Sequence, residues 1–195
     1  APAAVCHTET RLHPRETPDQ RVLHFELSIH PEPEAVDSRL DYFGNTVSHF
    51  AIREPHAELE VTARSVVEKI RAPEVDLQAT PSWEEVRRMV EDCDDPDLLE
   101  AIQYTFPSPF VEPGRSLADY ARRCFIPGAP VLAAARALCA LIHKEFTYKP
   151  NSTRIDTPLE EVFANRRGVC QDFAQIMIGS LRSLGLPARY VSGYL

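Results

Sequence analysis

The chain has 195 residues, of which 44% are hydrophobic and 26% charged, with a formal net charge of −8. That balance belongs to a folded globular protein and excludes a mainly disordered one. No apolar run approaches the roughly 20 residues of a membrane span, and the acidic excess gives no electrostatic footprint for nucleic acid.

The charge is unevenly spread. Residues 1–110 carry 10 Lys and Arg against 22 Asp and Glu, whereas residues 111–195 carry 11 against 7. A local positive excess of that kind is a solvated surface at least as often as a binding surface. Five cysteines, an odd number with no C-x-x-C pair, argue against a disulfide framework and a cysteine-rich zinc site. The expected compartment is reducing. His7, His13, His24, His30, His49 and His56 lack metal-ligand spacing, and neither H-E-x-x-H nor a glycine-rich phosphate loop occurs. Neither metal nor cofactor is expected. The chain begins with Ala1 and shows no signal peptide, which leaves room for an upstream segment.

Residues 1–80 read as strands and turns. Leu23, Phe25, Leu27 and Ile29 alternate with Val22, His24, Glu26 and Ser28, so the first set forms an apolar strand face. The prolines of HPEPE cannot continue a central strand. In DYFGNTVSHF, Gly44-Asn45 between apolar flanks predicts a hairpin. His56–Ile70 alternates and then changes phase at Ser65–Val67, the mark of a β-bulge. Short strands at this spacing predict a small sandwich or barrel.

Residues 81–114 read as a helical connector. Ser82 and Glu85 form a capping-box pattern before Trp83, Val86 and Val90. DCDDPD stops that helix, Pro96 opens another, and the proline-rich FPSPFVEPG marks the boundary before residues 115–195. From Ser116 the pattern is helical. In VLAAARALCALIHKE, Val131, Ala135, Leu138, Leu141 and Ile142 form the expected buried stripe, flanked by Cys139 as a small core residue. Thr157 and Pro158 read as N-cap and first residue of the next helix.

The run NRRGVCQDFAQIMIGSLRSLGLPARYVSGYL, Asn165–Leu195, reads as basic loop, glycine, cysteine at a helix start, Gly-Leu-Pro turn and strand. A helix opening presents unpaired N–H groups and a positive dipole end, both of which favour a thiolate. Arg166 and Arg167 add charge on the approach, and Gly168 permits a sharp turn. Cys170, Phe173, Ala174, Met177, Leu181 and Leu184 share one apolar face, with Gln171, Gln175 and Arg182 elsewhere. A cysteine on such a face more often packs than reacts.

What turns this reading toward chemistry is a resemblance. RRGVCQDFAQIMIGSLRSLGLPARYVSGYL resembles the nucleophile segment of the bacterial transglutaminase-like superfamily, papain-like cysteine enzymes with a G-x-C-x-[DE]-[FY]-A helix start and a P-A-R-Y-V-x-G-Y strand. LHPRETPDQ, DYFGNTVSHF and EPHAELEVTARSVVE likewise resemble the β-rich domain that precedes the core in that family. The resemblance implies an α+β fold: a β-rich N-terminal domain, then a papain-like core. It implies Cys170 as nucleophile, Gly168 and Asp172 in support, and Gln171, Arg189 and Tyr194 as cleft-lining groups.

The expected reaction is attack of Cys170 on an amide carbonyl of a peptide or protein, giving a thioester that passes to water or an amine. The expected oxyanion donor is the backbone N–H of Cys170. The resemblance places the compartment in the bacterial cytoplasm. In the family the general base and its orienting acid, a His and an Asp, come from strands beyond the P-A-R-Y-V-x-G-Y strand, and all seven histidines here precede Cys170. The chain is therefore expected to be the nucleophile half of a longer or nicked enzyme, the alternative being a degenerate, non-catalytic binding module.

Overall fold

Alternating side chains and turn residues build the first part of the molecule, and helices with one buried stripe build the second. The computed structural model describes residues 3–71, 73–93 and 95–194. It divides into two compact units, Ala1–Glu74 and Val75–Leu195. Residues 81–114, read above as a connector, belong to the second of these.

In the first unit β1 (Cys6–Thr10), β4 (Thr46–Ile52) and β3 (Val36–Leu40) form an antiparallel sheet in that order, while β2 (Gln20–His30) pairs with β5 (Glu60–Lys69). β4 supplies the buried Val47, Phe50 and Ile52. Asp41 builds the turn between β3 and β4: its Oδ1 accepts from the N–H groups of Phe43 and Asn45, each at 2.9 Å. Gly44 takes the left-handed conformation there at φ 76°. The expected bulge exists, but its extra residue is on β2. Val22 pairs with Val67 and His24 with Val66, leaving Leu23 unpaired. The bulge turns Leu23 outward, 58% exposed, and Val22 takes its place on the half-buried face with Phe25, Leu27 and Ile29.

The second unit carries α1 (Trp83–Asp92), α2 (Pro96–Ile102), α3 (Arg115–Ala121), α4 (Val131–Glu145), α5 (Leu159–Asn165) and α6 (Cys170–Arg182). Two short parallel strands, β6 (Thr147–Tyr148) and β7 (Arg167–Gly168), join the loops before α5 and α6. The expected capping box opens α1: Ser82 Oγ accepts from Glu85 N–H, and Glu85 accepts from Ser82 N–H. Thr157 does not cap α5. Its hydroxyl accepts from Arg154 N–H at 2.7 Å, and α5 begins one residue later than expected, with Pro158 at the N-cap.

The core gathers Leu117, Tyr120 and Ala121 of α3, Leu138 and Ile142 of α4, Val162 of α5 and Ile176 of α6. The buried stripe of α4 runs through Ala134, Leu138 and Ile142, and Cys139 lies exposed beside it. Leu141 and Ala135 are only half-buried. Asp94, within the stop after α1, and Leu195, at the end of the expected last strand, lie outside the described residues. Pro187–Tyr194 pairs in no ladder. A strand needs a neighbour for its N–H and C=O groups, and among the described residues Ala188 N–H donates instead to Tyr104 C=O. Among the described residues, no helix is long and apolar enough to cross a membrane.

Candidate active site

Cys170 is the first residue of α6, and it is exposed. Val169 before it is extended, at φ −115° and ψ 178°. By helix geometry the first-turn N–H groups of α6, that of Cys170 included, have no intrahelical partner. An exposed thiol therefore stands at a helix opening, beside backbone N–H groups that the helix itself does not satisfy.

The approach to Cys170 is held by hydrogen bonds from both sides. Thr147 N–H donates to Arg166 C=O, and Lys149 N–H donates to Gly168 C=O, each at 2.9 Å. Asp172 reaches back from the first turn of α6, where Oδ2 accepts from Val169 N–H at 2.8 Å and from Thr153 Oγ1 at 2.6 Å. This carboxylate is 3% exposed, so its donors replace water. The N3 acid thereby ties three pieces together: the loop at Thr153, the residue before Cys170 and α6.

Gly168 has a different use from the sharp turn expected of it. It lies buried in β7 without a left-handed φ, and a Cβ there would meet Asp172 Oδ2 at 2.5 Å. Its lack of a side chain makes room for the buried carboxylate.

The face of α6 that carries Cys170 is not the deepest one. Cys170 is exposed, and Phe173, Ala174, Met177 and Leu181 are half-buried. Asp172, Gln175, Ile176 and Gly179 are buried instead, at the same three- and four-residue spacing. Gly179 explains the rotation. A Cβ there would lie 2.9 Å from Leu117 and 3.2 Å from Leu159, so α3 and α5 press on this side. Gln175, expected to point away, is carried inward with it.

The remaining expected site residues separate. Gln171 is half-buried beside Cys170. Arg189 turns to other partners: its Nη1 lies 3.5 Å from Glu100 and its guanidinium 5.5 Å from the Tyr104 ring centre. Tyr194 is 68% exposed. Arg167 is exposed, whereas Arg166 spends its charge on Glu145 and three aromatic rings. Surface depressions lined by Gln78 and Arg88, and by Arg115 and Arg182, do not include Cys170. Among the described residues, no group of His, Cys, Asp and Glu is placed to hold a metal.

Arg182, at the far end of α6, is read from the sequence only as lying off the apolar face, and its anchoring role is missed there. Its Nε and Nη2 donate to Ala188 C=O at 3.0 and 2.8 Å, and its Nη1 donates to Phe106 C=O and Ser108 Oγ. No periodicity marks such a residue. Its partners are 74 and 76 positions away on one side and six on the other.

Known proteins resemble the chain at each of these levels. The family described as the bacterial transglutaminase-like N-terminal region matches residues 1–68, and the transglutaminase-like superfamily matches residues 118–195. An uncharacterised Mycobacterium tuberculosis protein is 36% identical over 94% of the chain, and one from Mycobacterium leprae is 34% identical over all of it. The chain spans 58% and 66% of those relatives' lengths. A protein-glutamine gamma-glutamyltransferase of Pseudomonas aeruginosa is 37% identical over 41% of the chain and 12% of its own length. A solved structure of a candidate cysteine protease from Cytophaga hutchinsonii superposes with a TM-score of 0.70 at 21% identity, over 94% of the chain and 60% of its own. That likeness establishes a common fold.

Proposed function

Since the chain belongs to the transglutaminase-like superfamily and has its papain-like α+β fold, we propose that it carries the nucleophile of a cysteine-dependent amide hydrolase, and that the nucleophile is Cys170. The observation that carries this reading is the exposed thiol at the first position of α6, inside the matched segment. Sγ attacks the carbonyl carbon of a peptide or protein amide, and the first-turn N–H groups receive the developing oxyanion. The C–N bond breaks, and the amine leaves with a proton from a general acid. Water then cleaves the thioester, returning the thiol and releasing a carboxylic acid.

Gly168 and Asp172 hold the approach, and Gln171, half-buried beside Cys170, is assigned in this reading to lining the substrate cleft. This reading also requires a histidine as general acid and base, with an aspartate to orient it. No cofactor enters the chemistry, and the bacterial cytoplasm is its setting.

The test is competitive alkylation of the protein near neutral pH with iodoacetamide. Cys139 is equally a surface thiol, which makes it an internal control for access. Cys170 is expected to label about tenfold faster than Cys139, because a catalytic nucleophile reacts faster than an inert surface thiol. Equal and slow labelling of both supports a non-catalytic binding module. Mass spectrometry of a trapped acyl-enzyme, and its loss in Cys170→Ala, then identifies the thioester. Free acid as the main product in the presence of a primary amine supports hydrolysis; an amine adduct supports transfer.

A further inference from the structure

Arg166 has an environment that the sequence does not announce. It follows α5 in the left-handed region, at φ 53° and ψ 34°. That region is disfavoured for a long side chain and persists only where the surroundings enforce it. Here they do. The guanidinium carbon lies 4.1 Å from the ring centre of Phe163, 4.7 Å from that of Phe146 and 4.9 Å from that of Tyr120. Such distances suit a cation over aromatic faces. Glu145 lies 4.0 Å from Arg166 Nη1 and is itself gripped by Arg123 through bonds of 2.6 and 3.0 Å.

Arg166 is four residues from Cys170, and the path between them has little slack. The Arg166 C=O receives Thr147 N–H and so starts the β6·β7 pairing. Gly168 C=O receives Lys149 N–H, Gly168 rests against Asp172, and Asp172 holds Val169 N–H. Phe146, one wall of the cage, also meets Phe173 of α6 edge-to-face, with ring centres 5.8 Å apart.

We propose that Arg166, caged by Tyr120, Phe146 and Phe163 and paired with Glu145, is a positioning residue that sets where Cys170 enters α6. The proposal rests on the reading of Cys170 as nucleophile. It assigns Arg166 no contact with substrate: the cage fixes the left-handed residue, that residue fixes β7, and β7 delivers the thiol to the helix opening.

The test compares Arg166→Met with Arg166→Lys in the protein. Methionine fills similar space without charge, whereas lysine keeps a cation for the cage and its carboxylate. Peptide-level hydrogen exchange across residues 166–171 and iodoacetamide labelling of Cys170 are the two readouts, with α4 and Cys139 as controls. In Arg166→Met, exchange over 166–171 is expected to rise about tenfold and Cys170 labelling to slow about threefold, while Arg166→Lys stays within about twofold of the parent in both. α4 and Cys139 are expected not to move.

Equal behaviour of the two variants overturns the proposal, since simple packing would then suffice. So does exchange that rises across α4 and α6 together, which would mark Arg166 as part of the general core, and so does Cys170 labelling that is unchanged or faster in Arg166→Met. A parent protein in which Cys170 labels no faster than Cys139 refutes the nucleophile reading separately, and the exchange contrast still decides the positioning.

Discussion

At the scale of single residues, the site depends on a carboxylate and a glycine that share one small space. Gly168→Ala would drive a methyl into Asp172, where the available gap is 2.5 Å. Overpacking of this kind destabilises by about 1–3 kcal/mol, and thermal melting of the variant should show it. Asp172→Ala acts in the opposite way, leaving Val169 N–H and the Thr153 hydroxyl without their acceptor. A loss of about 1–3 kcal/mol is expected, and Asp172→Asn, which keeps one acceptor oxygen, should lose less.

Tyr120 gives a pH signature. Burial, reinforced by the neighbouring Glu145 carboxylate, pushes its phenol up to about 12 from an ordinary 10.0. The folded state therefore prefers the neutral phenol. Stability from this group is intact below pH 10 and is lost as pH rises from about 10 to about 12. Melting temperatures across that range should fall less in Tyr120→Phe than in the parent.

Among the elements, α6 shows what hydrophobic periodicity misses. Of the stripe expected there, Phe173, Ala174, Met177 and Leu181 lie half-covered on the flank, Cys170 is exposed, and Leu184, past the end of the helix, is buried. The deepest face includes an aspartate, a glutamine and a glycine, none of which a search for apolar spacing would choose. Asp172 is buried because a threonine 19 residues earlier donates to it, and Gly179 because α3 and α5 close on it. Both facts depend on distant parts of the chain. Local chemistry was more transparent: the Ser82–Glu85 box, the Asp41–Asn45 turn and the placement of Cys170 at a helix start are all set by neighbours a few residues apart. Gly179→Ala tests the packing directly. The new methyl would meet Leu117 at 2.9 Å, and a loss of about 1–3 kcal/mol in denaturant unfolding is expected.

On the scale of the whole molecule, each unit has its own core, and the two differ in kind. The Ala1–Glu74 unit relies on one strand, β4, for Val47, Phe50 and Ile52. Phe50, 1% exposed, is its largest fully buried side chain. Phe50→Ala should cost about 3–5 kcal/mol and appear as faster hydrogen exchange in β1, β3 and β4. The Val75–Leu195 unit instead spreads its core over α3, α4, α5 and α6. Charge asymmetry along the sequence foreshadowed none of this, because a formal count does not say which charges are engaged. Arg166 illustrates the point: counted as positive charge on the approach to the thiol, it is occupied by a carboxylate and three rings.

Arg182 has a mechanical consequence. α6 is a rod of 13 residues, about 20 Å long at the usual helical rise, with the thiol at one end and Arg182 at the other. At the Arg182 end, a guanidinium bolts the rod to the Phe106–Ser108 loop and to Ala188. Tension on the segment after Ala188 would thus be met first at this anchor, at the end of the helix farther from the thiol.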